Sequence, residues 1–80
     1  MDNPYTDRRG PILDTTQPGI RHIQDMIREH KPVSVLIQSG SELEGVILWQ
    51  DLEYIGLQHE DGRPLMLINR RSISMLRALG

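Results

Sequence analysis

The chain has 80 residues, with nine Lys or Arg, eleven Asp or Glu and no cysteine, which gives a formal net charge of −2 at pH 7. A chain of this length forms one domain at most and buries only about 60 to 65% of the surface that its unfolded form exposes, so we expect packing against further copies of itself to reinforce a thin core. The composition excludes disulfide bridges and thiolate metal sites, and the net negative charge excludes a protein that coats nucleic acid through bulk positive charge.

The hydropathy pattern argues against a membrane-spanning segment. The longest apolar runs, Val46–Trp49 and Leu65–Ile68, have four residues each, whereas a membrane helix needs about 20. The acidic start, Met1–Pro4, has no apolar stretch and does not resemble a secretion signal. We therefore expect a cytoplasmic protein without membrane insertion.

Residues 1–17 are predicted to form a disordered tail. They contain two prolines and charges of both signs, and they have no apolar periodicity. Arg8 and Arg9 next to Tyr5 could contact nucleic acid, but the tail also carries three aspartates. A solvated leader is the favoured interpretation, and the folded domain is expected to span residues 18–79.

A helix is predicted over about residues 18–30. Pro18 suits a first helical turn, because its missing N–H would be unpaired there in any case. Apolar residues recur at spacings of three and four, which gives one apolar stripe; its members are Ile20, Ile23, Met26 and Ile27. Pro32 is expected to end the helix, since the residue before a proline is driven toward extended geometry.

From Pro32 onward the apolar period is two, which predicts strands. The five predicted strands cover about residues 32–39, 41–50, 54–59, 64–69 and 73–77. Ser39–Gly40 and Glu60–Gly62 are turn signals, and Gly45 inside the second strand indicates a sharp bend. The fold class is therefore mainly β with one N-terminal helix, as a small five-stranded antiparallel barrel.

Catalytic and metal sites are not expected. Histidines 22, 30 and 59 could transfer protons at neutral pH, but a zinc site needs three or four ligands and solvated or interface histidines are the simpler interpretation. Glu42 and Glu44 share one strand face and could mimic an acid/base pair, although such a face is usually solvated. The serines have no nucleophile-elbow context, and we predict neither enzymatic activity nor a cofactor.

Arg70 and Arg71 form the strongest local signal for a ligand. They lie in the connection between the last two predicted strands and have no acidic neighbour in sequence. The planar donor fork of arginine suits phosphate. From these residues alone, two interpretations are equally good. The arginines bind a phosphate, or they only keep an exposed turn soluble.

The residues from Gln17 to Leu79 resemble Hfq, the bacterial branch of the Sm-like proteins. The resemblance rests on five short stretches, which are Lys31–Val35, Ser39–Gly40, Leu43–Gly45, Gln50–Asp51 and Ile73–Ser74. The opening Pro18–Gln24 and the turn Trp49–Asp51 are similar to the cyanobacterial form of the family.

The resemblance implies a bent, five-stranded antiparallel Sm-like (SH3-like) barrel that assembles as a homohexameric ring without a cofactor. Members of the family bind uridine-rich RNA ends on the helix-bearing face, adenine-rich RNA on the opposite face and RNA bodies at the rim. The pore-side pair of the family corresponds to Arg70 and Arg71, and we assign the inner face to this pair together with Asn69, Glu53 and Tyr54. Glu53 takes the place of a stacking phenylalanine.

The other two RNA faces are altered. At the rim, one arginine of three remains, and we assign this site to Arg28, His30 and Arg21. On the opposite face, Leu36 stands where the family has a stacking tyrosine and Glu44 where a glutamine reads the base, next to Gly40. RNA binding is therefore expected at the pore, with a preference for uridine-rich over adenine-rich sequences.

The short fourth and fifth strands should leave unpaired edges that join neighbouring subunits head to tail. We assign the subunit interface to Leu65, Met66, Ile68, Ile73 and Met75, and expect Met66, Ile68 and Met75 to gain burial in the ring. Two functions are consistent with these residues. The first is a post-transcriptional regulator that acts through RNA, and the second is a protein-docking ring associated with type IV pilus machinery through a motor ATPase.

Overall fold

The computed structural model describes residues 12–80, which form one helix followed by a five-stranded antiparallel sheet. The elements are α1 (Pro18–Glu29), β1 (Pro32–Ile37), β2 (Glu42–Gln50), β3 (Tyr54–Gln58), β4 (Met66–Asn69), a 3-10 turn (Arg70–Ser72) and β5 (Ile73–Ala78). This confirms the predicted fold class. Most of the predicted tail, residues 1–11, lies outside the described residues.

Helix α1 begins at Pro18, as predicted, after Gln17 in extended geometry. The Gln17 carbonyl accepts the Arg21 N–H at 2.8 Å and closes the first turn. The predicted apolar stripe faces the sheet, with Met26 5% exposed and Ile23 and Ile27 packed against the core. No helix within residues 12–80 is long and apolar enough to cross a membrane.

The helix ends one residue earlier than expected. Glu29 is its last residue, and His30 adopts a left-handed conformation with φ of 54°. The N–H of His30 donates to the Ile27 carbonyl at 3.2 Å and that of Lys31 to the Met26 carbonyl at 3.1 Å. These bonds satisfy two carbonyls that a helix end otherwise leaves without partners. The last helical residue, Glu29, lies three residues before Pro32.

The sheet has the strand order β4-β3-β2-β1-β5, and every neighbouring pair is antiparallel. The register shifts between Leu36 and Ile37 in β1 and between Ile47 and Trp49 in β2. Such irregularities increase the local bend of a strand. Strands β4 and β5 lie at opposite ends of the strand order. Strand β5, predicted to be short, has six residues and is longer than β3, which has five.

The core lies between the curved sheet and α1. Its buried residues are Met26, Val33, Val35, Ile47, Ile55, Leu57 and Ile68. Gly45 is also buried, and a Cβ at this position would overlap the backbone carbonyl of Gln58 on β3. Glycine is therefore required there by a close approach of two strands, in addition to the bend that its position in β2 predicts.

The connections differ in length from the prediction. The turn at Gly40 is tight, with φ of 98° and its N–H 2.9 Å from the Ile37 carbonyl. The segment from His59 to Leu65 is a longer loop than the strong hairpin signal suggested, and β4 begins at Met66 rather than at residue 64. The reason is that Gln58 Nε2 donates to the Arg63 carbonyl at 2.6 Å and Pro64 has no N–H to donate to a strand.

Candidate functional site

The two adjacent arginines lie in a 3-10 turn that the flanking polar residues build. Asn69 caps this turn, because its Oδ1 accepts the Arg71 N–H at 2.8 Å. Ser72 Oγ donates to the Asn69 carbonyl at 2.7 Å. Gln38, just beyond the end of β1, fixes the turn from outside, since its N–H donates to the Ser72 carbonyl at 2.7 Å and its Nε2 to the Arg71 carbonyl at 3.0 Å.

The turn between β2 and β3 is held by Asp51. Its Oδ1 accepts the N–H of Tyr54 at 2.7 Å and that of Glu53 at 2.9 Å. These backbone hydrogen bonds, that from Tyr54 first, lower the pKa of Asp51, with a smaller contribution from the positive charge of Arg70. The carboxylate therefore remains ionised and holds the turn rigid at neutral pH.

The structure brings the predicted inner-face residues together. Tyr54 on β3 is the register partner of Asn69 on β4, and the Arg70 N–H donates to the Glu53 carbonyl at 2.8 Å. Arg70 is half-buried, whereas Arg71, Glu53 and Asn69 are exposed. Two turns that are far apart in sequence thus form one surface, which includes Arg70 and the exposed Arg71.

An open pocket of about 550 Å³ lies beside this surface. It is lined by Ile12, Leu13 and the run from Gln50 to Tyr54. The lining combines apolar residues such as Leu13 and Leu52 with the polar Glu53 and Tyr54. A pocket of this kind can accept a flat, partly polar group such as a nucleobase.

The predicted rim residues lie on or just after α1. Arg21 and Arg28 are seven residues apart and therefore share a helix face. Arg28 is paired with Asp25, with an Nη2 to Oδ1 distance of 2.6 Å, so part of its charge is neutralised. His30 is exposed at the helix end. The rim thus carries less free positive charge than its arginines suggest.

On the opposite face, the predicted Leu36 and Glu44 do lie on one side of the sheet. Leu36 pairs with Glu42 and Ser34 with Glu44 across β1 and β2. Glu42, which was not assigned to this site from sequence, accepts a hydrogen bond from Ser34 Oγ at 2.7 Å and lies 3.6 Å from the Arg77 guanidinium. Two carboxylates therefore share the face on which adenine-rich RNA was considered.

The residues assigned to the subunit interface differ in how far they are exposed in the single chain. Met75 on β5 is 46% exposed, but Ile68 on β4 is only 7% exposed within a single chain and belongs to the core. The expectation that Ile68 gains burial in a ring is therefore wrong, because it already packs inside the subunit. Leu67, 56% exposed, is the apolar side chain of β4 that points outward. Leu65, Met66 and Ile73 are half-buried.

Sequence reasoning missed Gln50 as a site residue. The Gln50 side chain, at the end of β2, forms hydrogen bonds with both α1 and Arg70. The pair Gln50–Asp51 carries part of the family resemblance, but no local pattern indicates that the Gln50 side chain meets α1 and Arg70. Among residues 12–80, no cluster of histidine and carboxylate side chains could hold a metal ion.

Solved structures of Hfq proteins share this fold. The chain superimposes on the crystal structure of an Hfq protein from Anabaena sp. with a TM-score of 0.69 and 26% identity, over 76% of this chain and 95% of that one. It superimposes on a crystal structure of the pleiotropic translational regulator Hfq with a TM-score of 0.72 and 18% identity, over 82% and 97% of the two chains. At the latter identity the likeness concerns the fold alone. No curated protein sequence matches the chain.

A helix followed by a bent five-stranded antiparallel sheet, in an arrangement shared with solved Hfq structures, defines a Sm-like protein. A protein-family model described as "Hfq related" matches residues 17–78, about four fifths of the chain. The chain therefore belongs to the Hfq-related family, which confirms the resemblance deduced from its sequence.

Proposed function

We propose that this protein is a non-enzymatic, ring-forming RNA-binding protein that contacts uridine-rich single strands through Arg70 and Arg71. The observation that carries the proposal is the 3-10 turn Arg70–Ser72, in which the Arg70 guanidinium donates at 3.0 Å to Gln50 Oε1, and Gln50 lines the neighbouring pocket. Family membership supports RNA as the ligand class, and we propose that the protein acts in the cytoplasm as a post-transcriptional regulator.

The ring is supported by the positions of the sheet edges. Strands β4 and β5 end the strand order at opposite sides, and each edge carries an exposed apolar side chain, Leu67 or Met75. An edge of this kind invites pairing with another strand. Pairing of β4 with β5 of the next subunit is head to tail and closes into a ring if the rotation suits. The number of six subunits comes from the family resemblance.

The charge distribution favours a local RNA site. The chain has a net charge of −2, whereas Arg70 and Arg71 are two adjacent positive charges, and neither forms a salt bridge within residues 12–80. In a hexamer, about twelve arginines would surround one opening, and converging like charges raise the local concentration of an oppositely charged ligand. Uridine-rich ends are proposed because the opposite face carries Glu42 and Glu44 instead of a stacking aromatic ring.

Charge reversal at the arginines provides the test. The variant Arg70→Glu with Arg71→Glu is expected to fold and to form the ring but to lose binding to a short oligo-uridine in fluorescence anisotropy. Wild-type affinity should fall steeply with added salt, because each neutralised phosphate releases a counterion. The control is Arg63→Glu, which reverses a charge at an exposed loop position outside the turn and outside the proposed interface strands. Equal loss of binding in both variants, or retained binding in the first, contradicts the site.

Sedimentation of the wild-type chain tests the assembly separately. A ring predicts a single species of several subunits at micromolar concentration, which Leu67→Asp together with Met75→Asp should dissociate. A wild-type monomer under these conditions refutes the ring.

The second candidate function is a protein-docking ring, with a pilus motor ATPase as the partner. The replacement of an aromatic platform by Leu36, and the carboxylates on the same face, favour it over strong RNA binding there. Co-purification of a folded protein from nuclease-treated lysate supports this alternative, whereas a salt-dependent shift with oligo-uridine supports the RNA-binding ring.

A further inference from the structure

The side chain of Gln50 connects three parts of the chain. Its Nε2 donates to the Ile20 carbonyl at 3.2 Å and to Gln24 Oε1 at 2.9 Å, both on α1. Its Oε1 accepts a hydrogen bond from Arg70 Nη1 at 3.0 Å. Gln50 is half-buried, so the network is partly shielded from water. The end of β2 thereby joins the helix to the arginine turn.

The chemistry of the partners fixes the orientation of the Gln50 amide. The Ile20 carbonyl can only accept, and a guanidinium can only donate. The reversed amide would place its NH₂ group against Arg70 and its oxygen against the Ile20 carbonyl, and both contacts would be repulsive. The amide oxygen therefore faces Arg70. Two hydrogen bonds to α1 hold the Gln50 side chain, and Gln50 in turn holds the Arg70 guanidinium.

The two arginines differ in how they are held. Arg70 is half-buried and is fixed at two points, through its N–H to the Glu53 carbonyl at 2.8 Å and through its guanidinium to Gln50. Arg71 is exposed, and the turn holds it through its backbone N–H and carbonyl. A guanidinium has five N–H donors, so the bond to Gln50 leaves four on Arg70 for a ligand.

We propose that Gln50 is a positioning residue for RNA binding, which preorganises Arg70 as a directional hydrogen-bond donor, while Arg71 contributes mobile positive charge. This inference rests on the proposed function at the same turn and assigns separate roles to its two arginines. An arginine that is already immobilised loses less rotamer freedom when it binds, so it binds more tightly than one that rotates freely.

The primary test is Gln50→Met, which keeps the length of the side chain and removes both hydrogen-bonding groups. We expect oligo-uridine to bind this variant about three- to tenfold more weakly. The slope of log K against log salt should remain unchanged, because no charge is removed. Arg71→Gln should instead reduce that slope. The control Gln58→Met makes the same change in β3, where the side chain donates to the Arg63 carbonyl away from the arginine turn, and it should bind as the wild type does.

A double-mutant cycle separates positioning from a general structural effect. The effects of Gln50→Met and Arg70→Lys should be strongly non-additive, because each removes the same contact, whereas those of Gln50→Met and Arg71→Lys should add. Additive effects with Arg70, or coupling with Arg71 instead, overturn the proposal. Gln50→Asn, whose shorter side chain withdraws the amide from Arg70, repeats the cycle if the methionine variant does not fold.

A measurement without RNA distinguishes this inference from the proposed function. In ¹⁵N NMR of the full chain, the Arg70 guanidinium should give slower side-chain motion than that of Arg71, and Gln50→Met should remove the difference. If the difference is present but the wild type does not bind oligo-uridine, the proposed function fails and the contact is only structural. If the wild type binds oligo-uridine and both arginines are equally mobile, the positioning role is refuted and the RNA-binding function stands.

Discussion

Gly56 on β3 lies directly against the indole of Trp49 on β2, its register partner across the bulge. A Cβ at Gly56 would be 2.5 Å from Trp49 Cε2 and 2.6 Å from Nε1. The ring therefore occupies the space that any larger residue at position 56 would need. With tryptophan at position 49, position 56 therefore requires glycine.

Gly56→Ala is accordingly expected to lower the free energy of unfolding by about 1 to 3 kcal/mol, the usual cost of overpacking a buried site. Trp49→Leu combined with Gly56→Ala should recover part of that loss, because the smaller side chain makes room. Urea unfolding at one fixed protein concentration measures both effects, since the stability of an oligomer depends on concentration. Gly19→Ala is the control, because a Cβ there meets no atom within 4 Å; an equal loss in this variant would refute the explanation.

The left-handed His30 gives a second prediction. A non-glycine residue in this conformation carries a steric cost that glycine avoids, so His30→Gly should raise the free energy of unfolding by about 0.5 to 1 kcal/mol after the entropy of glycine is included. Glu29→Gly, one residue earlier and still helical, should lower it by a similar amount. Thermal unfolding of the two variants should therefore shift in opposite directions, and a shift of the same sign would be inconsistent with the observed cap.

Asp51 predicts a dependence of stability on acid. Its pKa is lowered in the folded state by the N–H groups of Tyr54 and Glu53, so its ionised form stabilises the fold at pH values above the ordinary aspartate pKa of about 4. This contribution is lost as the pH falls below that value toward the lowered pKa. Asp51→Asn should therefore be less stable than the wild type at pH 7, with a difference that shrinks below about pH 4 in urea titrations.

Glu60→Gln removes the same charge from an exposed loop position and serves as the control for Asp51→Asn. It should show a smaller destabilisation at pH 7. A gap between wild type and Asp51→Asn that widens on acidification would contradict the role of the aspartate as the acceptor that holds the turn.

The opposite face predicts weak binding of adenine-rich RNA. Loss of an aromatic platform costs about 1 to 3 kcal/mol for each base. The family resemblance assigns Leu36 to the position of that platform, and Glu42 and Glu44 lie on the same face of the sheet. We expect the affinity for oligo-adenosine to be in the millimolar range at best. Leu36→Tyr with Glu44→Gln should increase it measurably in fluorescence anisotropy, whereas submicromolar binding by the wild type at physiological salt would disprove the assignment.

The sequence by itself determined the order of the elements, because local rules set it. The proline at position 18 marked the helix start, the change of apolar period at Pro32 marked the first strand, and glycine at position 40 marked a turn. These assignments rest on periodicity and turn chemistry, which act within a few residues. The family resemblance then followed from short motifs within the same elements.

The tertiary structure alone decided which distant residues meet. Gln50 and Arg70 are twenty residues apart, and their contact depends on how β2 bends beneath α1, which no local pattern encodes. The same holds for Ile68, which was expected at a subunit contact but lies in the core because β4 pairs with β3 in a register that points this side chain inward. Local preferences fix where a strand begins, whereas long-range packing fixes its register and therefore the direction of every side chain on it.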